Sequence, residues 1–138
     1  MAQAILITLE RDVPEASETY AKSKTGKALA RELERIDFAA RKCKVAQPST
    51  MLSESSAALI EQLKADGFDP AKMRIPPENF FPAAEGLAVV RALIDHIGAN
   101  LNDFKQPNPI LRDLRAAEPL LVAAESAGVK FHFTKGEL

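Results

Sequence analysis

The stretch Val129-Lys130-Phe131-His132-Phe133-Thr134 alternates apolar and polar side chains near the end of the 138-residue chain. This period of two is typical of a half-buried β-strand, because successive side chains of a strand point to opposite faces of a sheet. A similar stretch near the start, Ala4-Ile5-Leu6-Ile7-Thr8-Leu9-Glu10, places Ile5, Ile7 and Leu9 on one face. The sequence therefore predicts a sheet formed by an N-terminal and a C-terminal strand.

The segment between these strands shows the three- and four-residue spacing of amphipathic helices. Residues 11 to 25 are predicted as a loop with a short helical turn around Glu15 to Ala21. Four helices are predicted to follow. Their core positions are Leu29, Leu33, Ile36, Ala40 and Cys43; then Leu59, Ile60 and Leu63; then Leu87, Val90, Leu93, Ile94 and Ile97; and finally Leu111, Leu114, Ala117, Leu121 and Ala124.

Glycine and proline suggest the ends of these helices. Gly67 and Gly128 suit left-handed C-terminal positions, and Pro82 suits the first position of the third helix. Asn108-Pro109 starts the fourth helix, which Pro119 is expected to kink or break near residues 115 to 118.

These elements predict one α+β domain over residues 1–138. Its small antiparallel or mixed sheet is formed by the N- and C-terminal strands and packed on one face by about four helices. Two strands alone are marginally stable, so a third strand from Lys44 to Met51 or from Met73 to Pro76 would help.

Composition argues against several classes of function. Eighteen basic and nineteen acidic residues are interspersed and give a net charge of -1, which disfavours nucleic acid and anionic membrane as partners. The longest apolar runs are far shorter than the ~20 residues that cross a bilayer, and no secretory leader opens the chain, so we expect a cytoplasmic protein. One cysteine and two histidines without ligand spacing predict neither a disulfide, nor a metal site, nor a cofactor.

The stretch Ser23-Lys24-Thr25-Gly26-Lys27-Ala28-Leu29-Ala30 contains the Gly-Lys of a phosphate-binding loop. Such a loop needs a first glycine and a final hydroxyl, but Ala21 and Ala28 stand at these two positions. We therefore interpret Thr25 as the cap of the first long helix and Gly26 as a residue tolerated in its first turn.

The polar face of the predicted sheet is the first candidate site. Phe131 and Phe133 point to one side of their strand, so the other side carries polar groups from both strands. This face either meets water, the commoner case in antiparallel sheets, or binds a ligand or partner. Its candidate binding residues are His132, Lys130, Glu10 and Thr8.

Phe80 and Phe81 form the second candidate, because they lie beside prolines in an irregular segment. They either anchor this segment to the core or form an exposed hot spot for a partner.

No catalytic residue is predicted from the remaining candidates. Cys43 lies on an apolar stripe and is interpreted as a small buried core residue. His96 is interpreted as a solvent-side residue near a helix C-terminus, and Glu85 and Asp113 as first-turn carboxylates that favour the helix dipole.

Several stretches together resemble small bacterial proteins of unknown function. They are the early strand, the Gly26-Lys27-Ala28-Leu29 helix start, residues 80–93 (FFPAAEGLAVVRAL), and the closing Leu111-Arg112-Asp113-Leu114 and Gly128-to-Phe133 segments. The resemblance covers most of the chain and implies a stand-alone bacterial domain with no activity to transfer.

We therefore expect a non-catalytic cytoplasmic interaction domain, of the kind that binds and neutralises or regulates another protein. Short edge strands at both ends of the chain favour pairing with a protein partner or with a second copy in a homodimer. The alternative is a small-molecule-binding domain or an undescribed enzyme that uses the polar face around His132, aided by Glu10 or Arg91.

Overall fold

The computed structural model describes residues 3–53, 56–74 and 77–137. Within these ranges the chain forms two β-strands, six α-helices and three short 3-10 helices. The strands and α-helices are β1 (Gln3–Leu9), α1 (Pro14–Ser23), α2 (Lys27–Arg31), α3 (Leu33–Lys42), α4 (Ser56–Ala65), α5 (Ala83–Ala99), α6 (Pro107–Ala127) and β2 (Phe131–Glu137). The 3-10 helices are Pro48–Met51, Pro70–Lys72 and Leu101–Asp103. The predicted α+β class and the sheet of terminal strands are confirmed.

The sheet pairs β1 with β2 antiparallel over the full seven residues of each strand. One face is apolar, and its Ile5, Phe131 and Phe133 are buried in the main core cluster. On the other face Thr8 lies opposite His132. The helices therefore pack against the side that the phenylalanine spacing predicts.

The long helices α5 and α6 form most of the core beneath this apolar face. The predicted apolar stripe of α6 is buried throughout, and that of α5 is buried except for the half-buried Ile94. α6 runs without interruption past Pro119, so the predicted break is wrong. Proline removes one backbone donor, and the buried Leu114, Ala117 and Leu121 hold the helix on both sides of it. Gly128 ends α6 in the left-handed conformation as predicted.

The other helices depart further from the prediction. Residues 14 to 23 form a helix, α1, where a loop with one helical turn is predicted, although none of its residues is fully buried. α4 has half-buried Leu59, Ile60 and Leu63 where a core-facing side is predicted. Gly67 has the predicted left-handed conformation, with φ 86°.

The first of the long predicted helices, which carries Leu29 to Cys43, is divided into α2 and α3 at Glu32. Thr25 does not cap α2, because the N-cap position belongs to Gly26 and the Thr25 hydroxyl is hydrogen-bonded to that of Ser23. Gly26 has φ 123°, and a Cβ atom there would overlap the carbonyl oxygen of Ile5. Glycine is therefore required at this turn.

The carboxylate of Asp113 takes over the capping of α2. Its Oδ2 accepts hydrogen bonds from the backbone N–H groups of Ala28 (3.0 Å) and Leu29 (3.3 Å). Asp113 is buried in the second turn of α6, so its predicted role as a first-turn dipole partner is wrong. An internal carboxylate thus satisfies the backbone amides that a phosphate would bind in a true phosphate loop.

The described residues contain no third strand, and both edges of the sheet are partly covered. Phe81 exchanges two backbone hydrogen bonds with Phe131 on the outer edge of β2, and the Ser53 N–H donates to the Phe133 carbonyl there. On the outer edge of β1 the Ile5 N–H donates to the carbonyl of Gly26. Of the two predicted third strands, Lys44 to Met51 contains a 3-10 helix, and Met73 to Pro76 ends in residues outside the described ones.

Candidate functional site

His132 contacts the irregular segment 77–81, which pairs with the outer edge of β2 at Phe81. Its side chain is 1% exposed, so the expectation that it faces water is wrong. Nε2 is 2.7 Å from Oε2 of Glu78, and Nδ1 is 3.0 Å from the hydroxyl of Thr134. The ring of Phe80 covers the imidazole with a centroid separation of 4.9 Å.

A chain of hydrogen bonds continues from His132 to β1. The hydroxyls of Thr134 and Thr8 are 2.8 Å apart, so Thr8, Thr134, His132 and Glu78 are linked in sequence. This places two of the predicted site residues, Thr8 and His132, in one network. These groups bind each other across the sheet, which fixes their side-chain orientations.

The other predicted polar residues lie outside this network. Glu10 and Lys130 are exposed at the end of the sheet, where the Glu10 N–H donates to the Lys130 carbonyl. Arg91, the predicted helper of His132, is on α5 and forms an ion pair with Glu118 at 3.5 Å. The predicted surface is therefore divided into a network of buried imidazole and half-buried hydroxyls and an exposed pair, Glu10 and Lys130.

The hydroxyl, imidazole and carboxylate of Thr134, His132 and Glu78 have the order of a nucleophile, base and orienting acid. A nucleophile must reach a substrate, but the Thr134 hydroxyl is also within hydrogen-bond distance of the Thr8 hydroxyl, at 2.8 Å. The imidazole is buried beneath Phe80. The geometry fits a structural hydrogen-bond link between the sheet and segment 77–81 better than a catalytic triad.

Phe80 and Phe81 are both half-buried and turned towards the sheet. Phe80 covers His132, and the Phe81 ring lies 6.4 Å from that of Phe131 while their backbones pair. The sequence leaves two alternatives open for these residues. The contacts fit residues that anchor their segment to the core rather than an exposed hot spot for a partner.

The remaining chemically reactive residues are dispersed. Cys43 is half-buried at the end of α3, with Sγ 3.9 Å from the carbonyl oxygen of Ala92, rather than in the core as predicted. Among the residues that the structure describes, no group of three or more His, Cys, Asp and Glu side chains is placed to hold a metal ion.

The outer face of α3 carries a feature that the sequence analysis missed. Phe38 is 53% exposed, and the cations of Lys42 and Arg41 lie 4.7 Å and 5.4 Å from the centre of its ring. Glu34 is exposed one turn before Phe38. We refer to Glu34, Phe38, Arg41 and Lys42 as the α3 surface.

An open groove of about 650 Å³ adjoins the α3 surface. His96 of α5 and Asp103 and Phe104 of the following segment line it opposite α3. A sequence signal for Phe38 exists, because it follows the buried Ile36 by two residues and so lies off the apolar stripe of its helix. An aromatic residue at such a position is expected to be exposed.

A second cavity, of about 400 Å³, separates α1 from the outer edge of β1. Leu6, Leu9 and Leu120 give it apolar walls, and Thr8 and Tyr20 add hydroxyl groups. Burial raises the pKa of Tyr20 to about 12; a hydrogen bond with the Ile7 backbone opposes this shift, and the charge of Asp113 adds to it.

No protein-family model matches the chain, and neither the curated proteins nor the solved structures contain a significant match to it. Among the described residues, no helix has the length and apolar character needed to cross a membrane.

Proposed function

We propose that this protein is a non-catalytic cytoplasmic interaction domain that acts by binding a protein partner through the α3 surface. The observation that carries the proposal is the exposed Phe38, which lies against the cations of Arg41 and Lys42 beside an open groove of about 650 Å³. Aromatic residues and arginine dominate the energetics of protein interfaces, and grooves beside them accept anchoring side chains.

This proposal uses a different surface from the one that the sequence favours. The sequence predicts that a partner pairs with the free strand edges. In the structure, however, Phe81 and Ser53 cover part of the outer edge of β2, and Gly26 covers part of the outer edge of β1. The buried network around His132 also supports a non-catalytic role, because its polar groups are bonded to each other.

The test compares the wild-type protein with Phe38→Ala and Phe68→Ala as tagged baits in a lysate of the cells that encode it. Phe68 is a matched control because it is 56% exposed and does not line the groove. We expect a partner that wild type and F68A retain and F38A loses. With the purified partner, F38A should raise the dissociation constant about 30-fold, as for a hot spot of ~2 kcal/mol.

Two results would count against the proposal. One is a partner that F38A binds as well as wild type does, since its contact then lies elsewhere. The other is equal loss in F38A and F68A, which would point to general adhesion of exposed aromatic side chains rather than to a defined surface.

Binding of a small molecule is the second candidate function, and the cavity between α1 and β1 supports it. The cavity combines apolar walls with the polar residues Tyr20 and Thr8, and its volume of about 400 Å³ is in the usual range for ligand sites. A metabolite that raises the melting temperature of wild type but not of a Tyr20→Phe, Thr8→Val variant would favour this candidate. A shift of equal size in both proteins would exclude this cavity as its site.

A further inference from the structure

The arrangement of charge along α3 points to a specific occupant for the α3 surface. Glu34 stands one turn before Phe38, and Lys42 stands one turn after it, with Arg41 beside Lys42. All four side chains are exposed. The helix face therefore carries a carboxylate, Glu34, on one side of its aromatic residue and two cations on the other.

We infer that the α3 surface binds a second copy of this chain, with the two α3 helices antiparallel and the two Phe38 side chains at the twofold axis. This inference rests on the proposed function of the α3 surface and names its partner. A twofold interface places the same patch on both subunits, so the patch must complement itself. The charge order on α3 satisfies this requirement.

The residue pairing follows from helix geometry. Glu34 and Lys42 are each four residues from Phe38, which is about 6 Å along a helix axis. When two antiparallel helices cross at Phe38, Glu34 of each copy therefore lies opposite Lys42 of the other. The interface thus gains two Glu–Lys contacts, one on each side of the axis, around an aromatic centre.

The two like-charged contacts in this arrangement, one on each side of the axis, are partly neutralised inside each chain. Arg35 would lie opposite Arg41 of the second copy, but its Nη1 is 3.3 Å from Oε1 of the buried Glu32. Asp37 is also engaged within its own chain, since its carboxylate accepts the Ser49 N–H at 3.1 Å. Glu34, Arg41 and Lys42 are in none of the ion pairs found among the described residues.

The test is a charge exchange between the two helices. Wild type should approach twice the monomer mass of 15.0 kDa as its concentration rises. Glu34→Lys and Lys42→Glu should each raise the dimer dissociation constant tenfold or more, because each places like charges opposite each other on both sides of the axis. An equimolar mixture of the two variants should form a heterodimer, because both of its contacts then pair opposite charges.

Glu61→Lys on α4 is the matched control, because it makes the same charge change at an exposed residue outside the α3 surface. It should leave the dissociation constant unchanged. Circular dichroism of every variant should match wild type, and the regain of dimer in the mixture is a readout that misfolding does not produce.

Three outcomes would overturn the inference: a wild-type monomer at ~1 mM, the weak end of specific association; a dimer unaffected by either variant; or a mixture that stays monomeric. The proposed function is judged separately by the F38A comparison. A monomer with a partner lost in F38A retains that function and refutes only the dimer, whereas a monomer without such a partner refutes both.

Discussion

Two buried carboxylates, Glu32 and Asp113, hold α2 and α6 together by bonding to backbone amides. Asp113 of α6 accepts the N–H groups of Ala28 and Leu29 at the start of α2. Glu32, which follows α2, accepts those of Lys105 (2.7 Å) and Gln106 (3.1 Å) just before α6. The N-terminal end of each helix is therefore bonded by a carboxylate that is distant in sequence. Local capping patterns in the sequence do not reveal such long-range contacts.

Asp113→Ala should lower the free energy of unfolding by about 2–3 kcal/mol, because it leaves two buried N–H groups without an acceptor. Urea denaturation measures this change. Glu85→Ala is the control, because Glu85 is an exposed first-turn carboxylate of α5. This substitution should lower the free energy of unfolding by less than ~0.5 kcal/mol. Equal losses in the two variants would show that Asp113 acts only as a surface charge.

Glu32 should make stability depend on acid pH. Burial raises its pKa, but hydrogen bonds from Lys105 and Gln106, together with Arg35, outweigh burial and hold the pKa below the ordinary glutamate value. The stabilisation is therefore present above the ordinary pKa and is lost as the pH falls through the lowered one. Glu32→Gln should cost about 1–3 kcal/mol at neutral pH, and its difference from wild type should shrink in acid. A constant difference across urea titrations at each pH would contradict this role.

Tyr20 offers a spectroscopic test of the contact between α1 and β1. It is the only tyrosine of the chain, so the ultraviolet absorbance of phenolate reports it alone. Its pKa is raised from 10.0 to about 12 by burial, so the native state keeps its proton longer than the unfolded state. Stability should fall as the pH rises between these two values, and Tyr20→Phe should remove that dependence. A native midpoint near 10 would mean that α1 leaves Tyr20 in water.

The helix α5 packs tightly against the sheet at Gly86. A Cβ atom at this position would overlap the ring of Phe131, which is fully buried. Gly86→Ala should therefore destabilise the protein by about 1–3 kcal/mol through overpacking, measured by chemical denaturation.

At Gly98 of the same helix, we expect substitution by alanine to have the opposite effect on stability. A Cβ atom there meets no other atom within 4 Å, so Gly98→Ala should stabilise by up to ~1 kcal/mol through the better helix propensity of alanine. If both substitutions change the stability in the same direction, the close packing of α5 on β2 does not explain the difference between the two glycines.

The sequence predicts those elements whose signals are local and periodic. Both strands and the buried stripe of α6 follow from spacing alone. The division at Glu32 does not, because the amides that donate to the Glu32 carboxylate lie more than seventy residues away in the sequence. The burial of His132 does not follow from spacing either. The alternation along β2 places the imidazole on the face opposite the core, but it does not show that segment 77–81 covers this residue.

In the fold as a whole, irregular chain rather than a third strand completes the two-stranded sheet within residues 3–53, 56–74 and 77–137. Segment 77–81 contributes the Phe81 backbone to the edge of β2, the Phe80 ring over His132, and the Glu78 carboxylate to the imidazole. The buried polar network thus has a structural consequence, since it holds a segment without regular secondary structure against the sheet.

Glu78→Ala should loosen this segment while leaving the strand pair intact. We expect hydrogen exchange at the Phe81 and Phe131 amides to accelerate about tenfold, because their mutual backbone bonds depend on the docked segment. The Glu10 amide, which bonds to the Lys130 carbonyl at 2.9 Å, should keep its protection and serves as the internal control. Glu10→Ala, a change at an exposed residue of the same sheet end, should alter none of these rates. Unchanged protection of Phe81 in E78A would mean that the Phe80 and Phe81 rings alone dock the segment, and that the Glu78–His132 pair has another purpose.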